Sequence, residues 1–175
     1  MDILKKKALA KAIKNANKGH AITPLSQSKN IAFLYCSSIS TQDKQLIAQW
    51  KNGMEKAGKK ITECIVHNTK LKKGIIESSE PLSLYKNHFK LSGKVQPEAI
   101  GTFLNEDFDY LILFENIPSL NIQLLAANSK AKLRIGKNSE ENQPICDFLI
   151  NIPLDADMES YILNLEKTVK AIAGG

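Results

Sequence analysis

The sequence lacks a long apolar run, a glycine-rich loop and paired cysteines. No stretch approaches the roughly 18–20 apolar residues that a membrane-crossing helix requires. The N-terminal Met1-Asp2-Ile3-Leu4-Lys5-Lys6-Lys7 has no apolar segment behind its charges, as a secretory leader would. Cys36, Cys64 and Cys146 are an odd number without C-x-x-C spacing, each in or at the end of an apolar run. That pattern fits reduced, buried thiols in a cytoplasmic protein rather than a disulfide framework or zinc site. Neither G-x-G-x-x-G nor G-x-x-x-x-G-K-[ST] occurs. Both need glycine so that backbone can close on phosphate. No cofactor, no metal and no transmembrane segment are expected.

What is present is ordinary globular material. The 175 residues are 43% hydrophobic and 24% charged, enough for one domain with a real core. The net charge of +6 is unevenly placed. Residues 1–20 hold Lys5, Lys6, Lys7, Lys11, Lys14 and Lys18 against Asp2, or 6 − 1 = +5. The rest carries 6 − 5 = +1, so the basicity belongs to one segment and nucleic acid ranks last among partners.

Residues 2–18 read as a basic amphipathic helix with Leu4, Ala8, Leu9, Ala12, Ile13 and Ala16 at helical spacing and Gly19 as its stop. The expected division is a helical segment 1–19, a polar linker 20–29 and an α/β domain 30–175. Asn30 to Cys36 is an unalternating apolar run, suited to a strand covered on both faces. A helix from Ser40-Thr41 to about Gly58 follows, then a strand from Lys60 to His67. Phe89-Lys90-Leu91 reads as an edge strand and Pro97 to Leu104 as a short helix. Asp109 to Phe114 reads as a second central strand and Pro118 to Asn128 as a helix. Short strands at Lys132–Ile135 and Asp147–Ile152 precede a final helix, Met158 to Ala173. Strands alternating with helices predict a single Rossmann-like, three-layer α/β domain with a mostly parallel sheet.

Ligands of such sheets bind at the carboxyl ends of strands, near the point where strand order reverses. Here that selects Ser37, Ser38, Ser40 and Thr41 after the first strand, and Glu115 and Asn116 after the second central one. Hydroxyls at a helix start can bind an anion or simply cap the helix. Glu115 and its acidic neighbours fit acid–base work or a solvated loop. Lys132, Arg134 and Lys137 are candidate anion ligands, Arg being suited to bidentate contact; an exposed edge strand guarded by charge is the plainer explanation of them. Cys36 would need a base partner to act as a nucleophile, and the spacing of His20, His67 and His88 offers none. No catalytic residues are assigned.

The segments Lys29–Tyr35, Phe108–Leu113, Leu125–Gly136 and Asp147–Ile150, with the Lys-rich leader and the final helix, resemble an uncharacterised family of small Bacteroidota proteins. More distantly, "FDYLILF…LLAANSKAKLRIG" is similar to the N-terminal, Rossmann-like half of lipopolysaccharide heptosyltransferases. That similarity implies a glycosyltransferase-like domain, here without the second domain that holds a sugar nucleotide. Two functions follow. One is a non-catalytic binding domain that engages a protein partner, or its own copy, through the basic helix, which also admits contact with an anionic membrane. The other is a degenerate or minimal glycosyltransferase-like domain that takes an anionic small molecule such as a phosphosugar.

Overall fold

Six strands, all parallel, form one sheet in the order β3-β2-β1-β4-β5-β6. The strands are β1 (Asn30–Cys36), β2 (Lys60–Val66), β3 (Leu82–Leu84), β4 (Tyr110–Leu113), β5 (Leu133–Lys137) and β6 (Phe148–Ile150). Helices α1 (Asp2–Asn15), α2 (Thr41–Lys56), α3 (Leu120–Asn128) and α4 (Met158–Ala173) cover its faces. The computed structural model describes residues 2–16, 23–72, 81–90, 92–96, 100 and 103–173. Lys18, Gly19, the start of the linker, Leu91 and most of the expected helix at 97–104 lie outside them.

The central strands follow from their composition. Residues 31–36 of β1 and all of β4 are buried, so both faces must be apolar. Pleating sends Ile31, Phe33 and Tyr35 to one face and Ala32, Leu34 and Cys36 to the other. The first set packs with Ile47 of α2 and with Met158, Tyr161, Leu165 and Val169 of α4. The second packs with Leu9 and Ala12 of α1 and with Ile122, Leu124 and Leu125 of α3. Each large side chain so buried stabilises the fold by roughly 1.5–3 kcal/mol. The result is the expected Rossmann-like three-layer domain.

Helix α1 is one of those layers. Besides its apolar contacts, Lys5 Nζ donates to Asn121 Oδ1 of α3 at 2.8 Å and lies 5.6 Å above the Phe89 ring. Helix α2 starts at a cap: Ser40 is extended, and its hydroxyl accepts the Asp43 amide at 3.0 Å.

Two expectations are corrected. The edge beyond β2 is Leu82–Leu84, and of the expected Phe89–Leu91 strand the described part does not form it; Phe89 makes only an isolated antiparallel bridge to Val95. Leu82-Ser83-Leu84 is too short to stand out from its turn-rich surroundings, whereas Phe89 is conspicuous because it is aromatic. The strand carrying Arg134 is not an exposed edge either. Strand β5 lies between β4 and β6 with all five residues buried.

Candidate functional site

Strand order reverses between β1 and β4, and the loops after these strands meet at the carboxyl edge of the sheet. The backbone ladder still holds at Phe114, whose amide donates to Leu34 O at 3.3 Å. One step further the strands part. The Cys36 amide donates to the Glu115 carboxylate instead of to backbone. Glu115 thus occupies the crevice from within. Burial pushes its carboxyl from 4.5 up to about 7, while the Cys36 amide pulls it the other way.

The serine loop turns away from β4. Ser37 donates its amide to Val66 O at 3.0 Å and accepts Lys44 Nζ on its carbonyl at 2.6 Å. The Ser38 hydroxyl reaches the Cys36 sulfur at 3.1 Å, and Asn68 Nδ2 reaches it at 3.4 Å. Neither is a base. Ser40 is occupied as a cap, and Thr41 is the exposed first residue of α2. Asn116 faces another way, its side-chain amide donating to Leu154 O. Of the six residues selected around this edge, Glu115 is the one held against the β1 backbone.

The three candidate cations do not converge. Lys132, just ahead of β5 at its amino end, binds Asp109 Oδ1 at 2.7 Å. Burial opposes ionisation of Asp109, but Lys132 and the amides of Lys29 and Asn30 outweigh it and hold the carboxyl below 3.8. Arg134 grips Asp147 through Nε at 2.8 Å and a terminal nitrogen at 2.9 Å. Lys137 faces α4: its ammonium donates to Ala156 O at 2.9 Å and sits 5.2 Å over the Tyr161 ring. Burial lowers the Lys137 pKa, with Asp43 and Asp157 acting against that shift.

Two residues organise this edge without any local sequence signal. Asn142, fully buried, donates through Nδ2 to both Glu115 O and Lys137 O at 3.0 Å, clamping the ends of β4 and β5 together. Tyr161 donates its hydroxyl to Leu113 O at 2.8 Å, which ties α4 to β4. An asparagine in a polar loop has no periodicity to reveal it. Tyr161 was legible as a core-facing position but not as a donor.

Among the described residues no group of three or more His, Cys, Asp or Glu side chains could hold a metal ion. None of their helices is long and apolar enough to cross a membrane. No curated protein matches this sequence. A family model does, over residues 2–172, a span that takes in α1 together with the sheet. The chain therefore belongs to a family of unknown function, DUF6913.

Proposed function

We propose that this protein is a non-catalytic binding domain of the cytoplasm that recognises an acidic surface on a protein partner through the outward face of α1. The observation that carries this reading is the composition of that face. Lys6, Lys7, Lys11 and Lys14 are exposed there beside Ile3 and Leu4, which are 70% and 55% exposed. None of these four ammonium groups has a carboxylate partner among the described residues. Other cations of the fold do pair with carboxylates, as in Lys51–Glu63, Lys60–Glu106 and Lys132–Asp109. Unpaired lysines around two exposed aliphatic side chains suit an acidic partner with a small apolar contact.

Two further points support it. At the strand-order reversal the protein's own Glu115 carboxylate already takes the Cys36 amide that an incoming anion would meet. The free thiols Cys36 and Cys64 are buried, in keeping with a reducing compartment. The glycosyltransferase-like alternative requires Glu115 to leave the Cys36 amide so that a phosphosugar can enter between the loops.

The test begins with the full chain purified natively from its host and a co-purifying partner reconstituted from pure components. Substituting Lys7→Glu and Lys14→Glu together should weaken that complex by roughly ten-fold or more and reduce its salt dependence. Unchanged affinity in the double variant would overturn the proposal. Stabilisation by a nucleotide sugar that disappears on substituting Ser38 or Asn116 would put the alternative in its place.

A further inference from the structure

A second feature lies on the α1/α3 face, towards the amino edge of the sheet. Between α1, α3 and the turn at residues 92–95 there is a cleft of ≈ 780 Å³. Its volume falls within the ~300–1,000 Å³ of small-molecule sites. The floor is apolar, formed by Ala12, Leu124 and Leu125. Lys11, Lys94 and Lys130, all exposed, stand at the rim, with Asp107 as the opposing charge. None of the three lysines has a carboxylate partner among the described residues.

Charge decides the kind of occupant. Helices α1 and α3 both end at the cleft, at Asn15 and Asn128. Each carbonyl end carries about −0.5 of a charge. Among the described residues, the three lysines, Asp107 and the two helix ends sum to roughly +1. A phosphate would meet two helix carboxyl ends, the reverse of the helix amino ends that suit it. A single negative charge on an apolar body fits both the sum and the floor.

We propose that this cleft binds an organic monocarboxylate, with the carboxylate at the lysine rim and its hydrocarbon part on Ala12, Leu124 and Leu125. The site shares Lys11 with the outward face of α1, whereas Lys94 and Lys130 belong to it alone.

The full chain is titrated with straight-chain carboxylates from butanoate to decanoate, below their micelle concentrations, while backbone amide shifts are followed by NMR. The matching primary alcohols, inorganic phosphate and pyrophosphate serve as comparisons. Saturable shifts should map to residues around the cleft, and affinity should rise by up to roughly four-fold per added methylene. The alcohols should bind roughly ten-fold more weakly, as should the carboxylates to the Lys94→Glu/Lys130→Glu variant. The Lys7→Glu/Lys14→Glu variant, which tests the protein-binding face, should bind carboxylates like the parent. Ser92→Trp, an exposed substitution at the cleft lining, should block it. Equal affinity for alcohols and acids, or no loss in the Lys94/Lys130 variant, would overturn the inference. So would tighter binding of pyrophosphate than of decanoate, or the absence of saturable shifts at the cleft.

Discussion

The Glu115 carboxylate and the Cys36 backbone amide are hydrogen-bonded across the line where the strand order of the sheet reverses. Burial raises this carboxyl from 4.5 to about 7, so the fold holds its proton more tightly than the unfolded chain does. A raised acid makes stability fall as pH climbs between those two values. Below 4.5 both states are protonated, and above 7 both are ionised. Glu115→Gln removes the titration and keeps an acceptor for Cys36. Its stability relative to the parent should therefore increase between pH 4.5 and 7 and level off above. The gain should be roughly 2–3 kcal/mol, read from urea unfolding across that range. A pH-independent difference would show that Glu115 does not titrate there.

Arg134 is nearly buried, its side chain 4% exposed, and Asp147 binds it in bidentate fashion while also accepting the Arg134 amide at 2.9 Å. Asp147→Ala leaves that cation inside the sheet without its main partner. The expected cost is about 3 kcal/mol, at the lower end for buried pairs because Asp147 keeps some contact with water. The Arg134→Met/Asp147→Leu double variant should recover most of it. Equal loss in the single and double variants would contradict this account.

Asn142 holds the carbonyls of Glu115, two residues past β4, and of Lys137, the last residue of β5. Replacing it with Leu removes both hydrogen bonds and should cost about 2–3 kcal/mol. Asn142→Asp should be worse, since a carboxylate would face two carbonyl oxygens. Gly136→Ala probes the same contact from behind. A Cβ there would stand 2.9 Å from Cys146 Sγ and 3.2 Å from the Asn142 amide group. About 1–3 kcal/mol of destabilisation is expected from that crowding, measured by chemical denaturation.

Phe33 stacks on Trp50 at 5.2 Å and meets Phe114 edge-on at 5.1 Å. Phe33→Ala should cost about 3–5 kcal/mol. Trp50 is the sole tryptophan, so its emission reports the change directly. Removing the ring beneath it should shift native emission to longer wavelength. An unshifted spectrum would mean that the cavity closes over the indole.

The central strands were legible because nothing in them alternates. Asn30–Cys36 and the run ending at Phe114 are apolar on both faces, which only a strand covered on two sides requires. The last helix was equally plain, its stripe of Met158, Tyr161, Leu165 and Val169 falling on one face. The interior position of β5 was not legible. Lys132 and Arg134 looked like surface charge, and the carboxylate that buries Arg134 lies 13 residues away, just before β6. Charge cancellation of that kind leaves no local pattern. The same holds for Asn142. The cleft beneath α1 was invisible for a different reason: Lys11, Lys94 and Lys130 come from three distant segments that only the packed fold brings together.

The placement of β1 at the middle of the sheet has a bearing on synthesis. Val66 completes the β1–β2 pair, but the other flank of β1 waits for Tyr110, 110 − 66 = 44 residues later. At ribosomal speeds of ~5–20 residues per second, that flank stays an open hydrogen-bonding edge for roughly 2–9 s. Ile31, Ala32, Phe33 and Leu34 are the residues left uncovered on that side, a sticky template on every nascent copy. Crowded polysomes therefore present that edge to neighbouring nascent copies before Tyr110 can cover it.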